Sequence, residues 1–271
     1  MRKKKLLLAA ILLFAAVFGL SAGAQAELWE VWDVSGDGAE ADIDHGYWQA
    51  FLDRYLMSGL PDGISRLDYA SAMESGRELL ERYIADLEAV AIREYSRDQQ
   101  FAYWVNLYNA ATVRLIVDNY PLTSIKKISS PWDQKLLTIE GIDVSLNDIE
   151  HRILRPIWND PRIHFVVNCA SLGCPNLHDT ALTVENTEEI LERSTADYLG
   201  HSRGVDISSN RIVLSSIFDW YDEDFGGSQK EMLKFIGKYR DIGSLLNSDG
   251  SLRSGLRLSY EYDWDLNDLN R

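Results

Sequence analysis

The stretch "RDQQFAYWVNLYNAATVRLIVDN", residues 97–119, carries apolar or small side chains on nearly every helical face. A helix at a protein surface keeps a polar stripe toward water, and one that lacks the stripe is buried all round. Ser96 and Gln99 frame its start as a capping box. Asn119-Tyr120-Pro121 ends it, because proline cannot continue the ladder. A helix of this kind cannot stand alone, so the rest of the chain must wrap it. Asn106 and Asn109 interrupt the apolar run three residues apart and share a face. A buried amide left without partners costs about 1–3 kcal/mol. These two side chains either tie down neighbouring loops or orient a catalytic group or a substrate.

The wrapping elements can be read on both sides. Before the central helix, Trp48, Phe51, Leu52, Tyr55 and Leu56 fall on one face of a helix over 47–57. Leu60-Pro61-Asp62-Gly63 is a turn, and a second helix is expected over 77–92. After it, residues 135–144 alternate around Gly141 and read as a hairpin. A second hairpin is expected over 205–214, around Ser209-Asn210. Ser145 and Asp148 open a helix by their spacing. Residues 163–168 form a short β-branched run that predicts a buried strand. Helices resume near Ser216 and Gln229. The predicted architecture is α+β. It is a single domain over 47–271, with a buried central helix, several packing helices and a small, mostly antiparallel sheet.

The N-terminus reads as a secretory signal over residues 1–26. Arg2 to Lys5 are basic, Leu6 to Leu20 are apolar, and Ala24-Gln25-Ala26 is a cleavage-site pattern. The apolar run of roughly 15 residues falls short of the ~20 needed to span a bilayer. A periplasmic or secreted protein is therefore expected, with no membrane attachment after cleavage. Residues 27–46 are expected to be an exposed acidic lead-in. Asp33 to Asp44 partly echo a calcium loop but lack its final glutamate, so a solvated linker is the better reading. The chain holds 27 Lys and Arg against 42 Asp and Glu, a net charge of −15. That balance steers it away from nucleic acid.

The helix "SLNDIEHRILRPIW", residues 145–158, holds the first chemical signal. At 100° per residue Leu146, Ile149, Ile153, Leu154 and Ile157 share one face. Glu150 falls in the middle of that face and His151 on its edge. A carboxylate aimed into an apolar stripe needs a partner or a raised pKa. Glu150 is either half of a buried ion pair with Arg155 or Arg162, or an orienting or acid–base group beside His151. His164 reads as a packing residue, and His45, His178 and His201 as surface.

The second signal is "HFVVNCASLGCPNL", residues 164–177, which holds the only two cysteines, Cys169 and Cys174. Cys169 leaves the expected strand and enters a small-residue loop, a place where a nucleophile is often displayed near loop N–H groups. The even count and an oxidising compartment equally permit a disulfide, and two inert thiols remain a third reading. Cys-x4-Cys is wide for zinc and no histidine pair follows it. No metal and no cofactor are expected.

Four of these segments, in this order, resemble the domain-of-unknown-function 547 family of bacterial envelope and plant proteins. They are "QFAYWVNLYNAATVRLIV", "VSLNDIEHRILR", "DPRIHFVVNCASLGCPNL" and, near the C-terminus, "YEYDWDLN". The first cysteine, here Cys169, belongs to the shared pattern, whereas the second is serine in plant members. The resemblance thus implies a thiol whose role is not a disulfide. The set is similar to a papain-like thiol hydrolase with His before Cys, and triads follow geometry, not chain order. What it implies is an exported cysteine hydrolase or acyltransferase acting on an amide, a thioester or a small peptide, a thiol-bearing one included. Cys169 would be the nucleophile, His151 the base and Glu150 its orienter. Asn106, Asn109, Asn168, Asp263 and Trp264 are the candidates for binding or orienting substrate. The alternative is a non-catalytic envelope module with a Cys169–Cys174 disulfide.

Overall fold

The computed structural model describes residues 26–37, 42–208 and 210–270. Most of the segment expected to be a secretory signal, residues 1–25, lies outside them. The helices are α1 Gly46–Tyr55, α2 Tyr69–Ser75, α3 Arg77–Glu88, α4 Arg97–Asn119, α5 Arg155–Trp158, α6 Thr187–Gly200, α7 Ile217–Trp220 and α8 Gln229–Ile236. The strands are β1 Leu56–Met57, β2 Arg66–Leu67, β3 Lys135–Ile139, β4 Ile142–Ser145, β5 Val205–Ser208, β6 Arg211–Ser215 and β7 Arg257–Glu261. β1–β2 and β3–β4 are antiparallel pairs. β5–β6–β7 is a mixed sheet, antiparallel on one side of β6 and parallel on the other. The chain is a single α+β domain.

α4 is the axis of the fold. Residues 100–113 are buried without a break, so the helix has no solvent face over that run. Its start is the capping box, with Ser96 Oγ accepting from the Gln99 N–H and the Gln99 side chain accepting from the Ser96 N–H. α2 and α3 pack on it from one side and the segment after β4 from another. Each fully buried Leu, Ile or Phe in this shell contributes about 1.5–3 kcal/mol of transfer free energy. A second apolar cluster gathers α6, the three-stranded sheet and α8 around Phe165, Phe218 and Phe225. Residues 163–167 bridge the two: Ile163, Val166 and Val167 belong to the first cluster and Phe165 to the second. The candidate site lies at this junction.

Three expectations are corrected. Residues 163–168 are not a strand. Asp160 caps a 3-10 helix, Pro161–Phe165, and the chain beyond it is irregular. The groups a neighbouring strand would have satisfied go to one amide instead: Asn109 Nδ2 donates to Val166 O at 2.9 Å, and Asn109 Oδ1 accepts from the Asn168 N–H at 2.8 Å. Next, the chain over residues 27–36 is mostly exposed, as expected, but it is anchored to the fold and is not a free linker. Trp32 is buried edge-on against Trp104, and Asp33 pairs with Arg97 at 2.8 Å. Residues 38–41 lie outside the described residues. Finally, His45 is buried and hydrogen-bonded to Tyr83 OH at 2.7 Å, and is not a surface residue.

Candidate active site

The helix that carries Glu150 and His151 is wound more widely than expected. Ser145 and Asp148 do open it, by reciprocal bonds between the Ser145 hydroxyl and N–H and the Asp148 carboxylate and N–H. Asp148–Leu154 then runs as a π-helix into α5. Pro156 supplies the reason. Its ring has no N–H and would clash with the carbonyl four residues back, that of Arg152. The wide turn relieves the clash, and the Arg155 N–H donates to Glu150 O. The carbonyls of His151 and Arg152 are thereby left over. The N–H groups of Glu27 and Trp29 take them, at 3.0 and 2.9 Å. Such π-turns are rare and concentrate at functional sites.

Glu150 is buried as its position in the apolar stripe predicts. Tyr108 OH, from α4, donates to its Oε2 at 2.8 Å, and His164 Nδ1 stands 3.8 Å from its Oε1. Burial pushes the carboxyl up. The imidazoles of His151 and His164, the Tyr108 hydroxyl and the Arg155 guanidinium together bring it below its usual range. The arginines expected as its ion-pair partners bond elsewhere: Arg162 to Asp160 and Glu188, and Arg155 to Asp224 through a two-pronged contact at 2.6 and 3.1 Å. Asp224 also accepts from His164 Nε2 at 2.6 Å. Burial raises the Asp224 carboxyl, but these hydrogen bonds outweigh it and hold it at about 2. His164 is thus a buried link between two carboxylates, stacked on Tyr221 at 4.1 Å.

His151 is oriented by Arg155, whose Nη1 lies 3.2 Å from its Nδ1. A guanidinium can only donate, so Nδ1 is the acceptor and a neutral ring carries its proton on Nε2. Burial lowers the pKa of the imidazole. Glu150 opposes the shift, but Arg155 adds to it, and the ring is held neutral.

Cys169 lies partly exposed at the edge of the same cavity, and both thiols are free. Its Sγ is 2.9 Å from Ser171 Oγ, 3.0 Å from Tyr262 OH and 3.0 Å from Cys174 Sγ. Burial pushes this thiol up. The hydrogen bonds with Cys174, Ser171 and Tyr262 outweigh it, and its pKa falls below the ordinary thiol value. Burial and the neighbouring Cys169 push Cys174 well up, and burial does the same to Tyr262. Of the two thiols, Cys169 is therefore the one that ionises more readily. A left-handed Ala170, at φ 61°, turns the chain back after Cys169. That conformation costs a non-glycine residue about 1–2 kcal/mol.

Most of the loop N–H groups are engaged within the protein. Cys169 N–H donates to Cys174 Sγ, Ala170 N–H to Asn168 Oδ1, Leu172 N–H to Asp265 O, Gly173 N–H to Asp263 O and Cys174 N–H to Ser171 O. Several of these bonds zip the loop to the C-terminal segment. The approach is so close that a Cβ on Gly173 would lie 2.6 Å from Asp263 N. This zipper delivers Tyr262 and Trp264, two residues apart and on the same side of an extended chain.

The cavity measures about 290 Å³. Cys169, Cys174, Glu150, His151, His164 and Tyr108 line its polar part. Trp132, Trp220, Tyr262 and Trp264 form an aromatic wall, with Trp220 and Trp264 stacked at 5.4 Å. The structure thus brings Cys169, His151, Glu150 and Trp264 together. Among the described residues no hydrogen bond joins Cys169 to His151. Asn106, Asn109, Asn168 and Asp263 do not line the cavity. Asn106 holds Leu182 through its N–H and C=O, Asn168 holds Pro175 O, and the Asp263 side chain accepts from the Asp265 N–H. Tyr262, Ser171, Tyr221, Asp224 and Arg155 are further members of the site; Tyr262, Ser171 and Arg155 lie within the motifs quoted above, whereas Tyr221 and Asp224 lie in none of them. For Tyr262 the alternation with Trp264 was the available signal.

Residues 92–199 match the model of the family described as "Protein of unknown function, DUF547". Over these residues the chain is similar to that family. No curated protein matches it, and no solved structure does. The DUF547 segment holds α4, the π-helix and both cysteines. Tyr262 and Trp264 come from beyond it, so the C-terminal segment completes a site that the DUF547 match begins.

Proposed function

We propose that this cavity is the active site of a cysteine-dependent acyl-transfer enzyme, a hydrolase or an acyltransferase, acting on a small substrate. The observation that supports it most is the Cys169 sulfur held by two hydroxyls and the Cys174 thiol at 2.9–3.0 Å, at the edge of a cavity that also holds an imidazole. A thiolate is the nucleophilic form of cysteine, and donors of this kind maintain it near neutral pH. Cys169 Sγ attacks a substrate carbonyl. The negative charge that develops on the carbonyl oxygen is met by side-chain donors, the His151 Nε2–H and the neighbouring hydroxyls, because most of the loop N–H groups are already engaged.

The tautomer of His151 narrows the substrate. A neutral ring whose Nδ1 is occupied by Arg155 does not readily give a proton to a leaving amine. Leaving groups that depart without one, as in a thioester or an activated ester, suit the site better than an amide. A volume of about 290 Å³ lies at the lower end of ligand pockets, roughly 300–1,000 Å³, which favours a small acyl group against the tryptophans. Export is part of this proposal and is supported by the sequence pattern of residues 1–26.

The test is to offer the protein a series of short acyl thioesters and follow thiol release and protein mass. An acyl adduct on Cys169, absent from Cys169→Ala, is expected. An unacylated protein whose Cys169 alkylates only at the pH of an ordinary thiol would show that the site does not do this chemistry.

A further inference from the structure

The second thiol is held more closely than its share in lowering the Cys169 pKa requires. Cys174 is 4 % exposed, and its Sγ lies 3.0 Å from Cys169 Sγ with no bond between them. The loop is folded to keep it there. Ala170 reverses the chain, the Cys174 N–H closes on Ser171 O, and the Cys169 N–H points at Cys174 Sγ from 2.9 Å. A bystander thiol requires none of this. A resolving thiol requires all of it: proximity, shielding from bulk reagents, and a donor that steadies negative charge on its sulfur as the charge forms.

We propose a second activity for this chain: Cys169 and Cys174 form a dithiol that reduces small disulfides by thiol–disulfide exchange. The proposal rests on the Cys169 nucleophile of the acyl-transfer reading and adds a role for Cys174. Cys169 Sγ attacks one sulfur of the substrate disulfide. The substrate S–S bond breaks, its far sulfur leaves as a thiolate and takes a proton from water, and a mixed disulfide remains on Cys169. Cys174 then gives its proton to the departing near sulfur, and Cys174 Sγ attacks Cys169 Sγ. The second substrate thiol is released and a Cys169–Cys174 disulfide forms. Two electrons have passed from the dithiol to the substrate, with one proton from Cys174 and one from solvent.

The direction of attack follows from exposure. Cys169 faces the cavity, whereas Cys174 is reached through it, so the outer sulfur is attacked from solution and the inner one resolves. The cavity sets the size of substrate. A low-molecular-weight disulfide fits about 290 Å³, and a disulfide within a folded protein does not. Tryptophan faces are favourable neighbours for divalent sulfur.

The experiment uses the reduced full chain and 2,2′-dipyridyl disulfide, whose thione release is read by absorbance, with intact-protein mass alongside. The wild type is expected to release two thiones per chain and to end two mass units lighter with no adduct. Cys174→Ala is expected to release one thione and to keep a stable pyridylthio adduct on Cys169, and to accept an acyl group from a thioester more slowly than the wild type, because one of the three partners of the Cys169 sulfur is gone. Cys174→Ser replaces it if the alanine variant does not fold. A wild type that keeps one adduct, or carries two, would overturn the dithiol proposal and leave acyl transfer standing. A wild type that releases no thione and takes no acyl group overturns both, because Cys169 is then no nucleophile.

Discussion

At the scale of single residues, the site is a set of protons placed by neighbours. Cys169 has no histidine holding its proton. It has a ring of donors, and its charge is the sum of what they give. Removing one donor should therefore be felt in reactivity and not in folding. Tyr262→Phe keeps the ring that packs on Trp220 and Trp264 and deletes only the hydroxyl on Cys169 Sγ. A hydrogen bond to a charged group contributes about 1.5–3 kcal/mol, so the thiolate population at a pH below the titration point should fall about tenfold or more. Iodoacetamide alkylation at pH 6 is expected to slow by that factor while the melting temperature stays within a degree or two. An unchanged alkylation rate would mean that Tyr262 is a packing residue. Ser171→Ala should act in the same direction through the second hydroxyl. Sequence reasoning reached Cys169, His151 and Glu150 because each is a chemical oddity where it stands. It did not reach Tyr262 or Ser171, because a hydroxyl is ordinary until the fold aims it.

At the scale of elements, the two asparagines of α4 divide the labour of holding the loops. Asn109 takes the place of a missing strand by bonding Val166 O and the Asn168 N–H, the two groups that lead into Cys169. Asn106 does the same for Leu182, beyond the cysteine loop. Both amides are buried, so each alanine variant strands a buried carbonyl and a buried N–H at about 1–3 kcal/mol apiece. Asn109→Ala and Asn106→Ala should destabilise to a similar extent, read as the shift in urea midpoint. Only Asn109→Ala should also slow alkylation of Cys169, because it alone releases the chain that positions the sulfur. Equal loss of reactivity in both variants would show that reactivity follows global stability and not the local tie. The contrast explains what periodicity could and could not supply. α4 was legible because its apolar pattern, cap and terminating proline agree. The buried run at 163–168 has the composition of a strand, and only the amide of Asn109, far away in sequence, lets it bury its backbone without one. α6 was hidden for a different reason. Thr195 sits in its buried face and satisfies its hydroxyl on Leu191 O at 2.7 Å, so a polar residue interrupts the apolar stripe. The π-helix was invisible to a 100° count, although Pro156 was the sign that the count would fail.

At the scale of the whole molecule, the acidic composition suggests a protein whose pH limits are set by carboxylates, and the structure points instead to histidines. Asp148 and Asp224 are both held at about 2: burial raises each, and their hydrogen bonds, from Lys135, Ser145 and Arg152 to Asp148 and from His164 and Arg155 to Asp224, outweigh it. A depressed carboxylate gives stability that is present above its unfolded value, near 4, and is lost as the pH falls through about 2. Between pH 6.5 and 4 these groups change nothing. His45 works in that window. Burial drives its pKa from 6.5 to about 4, against a smaller opposing pull from Asp44. Above pH 6.5 the ring is neutral folded and unfolded, and stability is unaffected. As the pH falls below 6.5 the unfolded chain binds a proton that the folded chain refuses, so stability declines until the folded ring titrates near 4. The span corresponds to about 3 kcal/mol at roughly 1.4 kcal/mol per unit. His151 and His178, also lowered mainly by burial, add in the same direction. The wild type should thus lose several kcal/mol between pH 7 and pH 4 by urea unfolding. His45→Asn, which keeps a polar group near Tyr83 OH but cannot titrate, should lose about 3 kcal/mol less over the same interval. Parallel pH profiles for the two proteins would show that the buried ring near Tyr83 is not what makes the fold sensitive to acid.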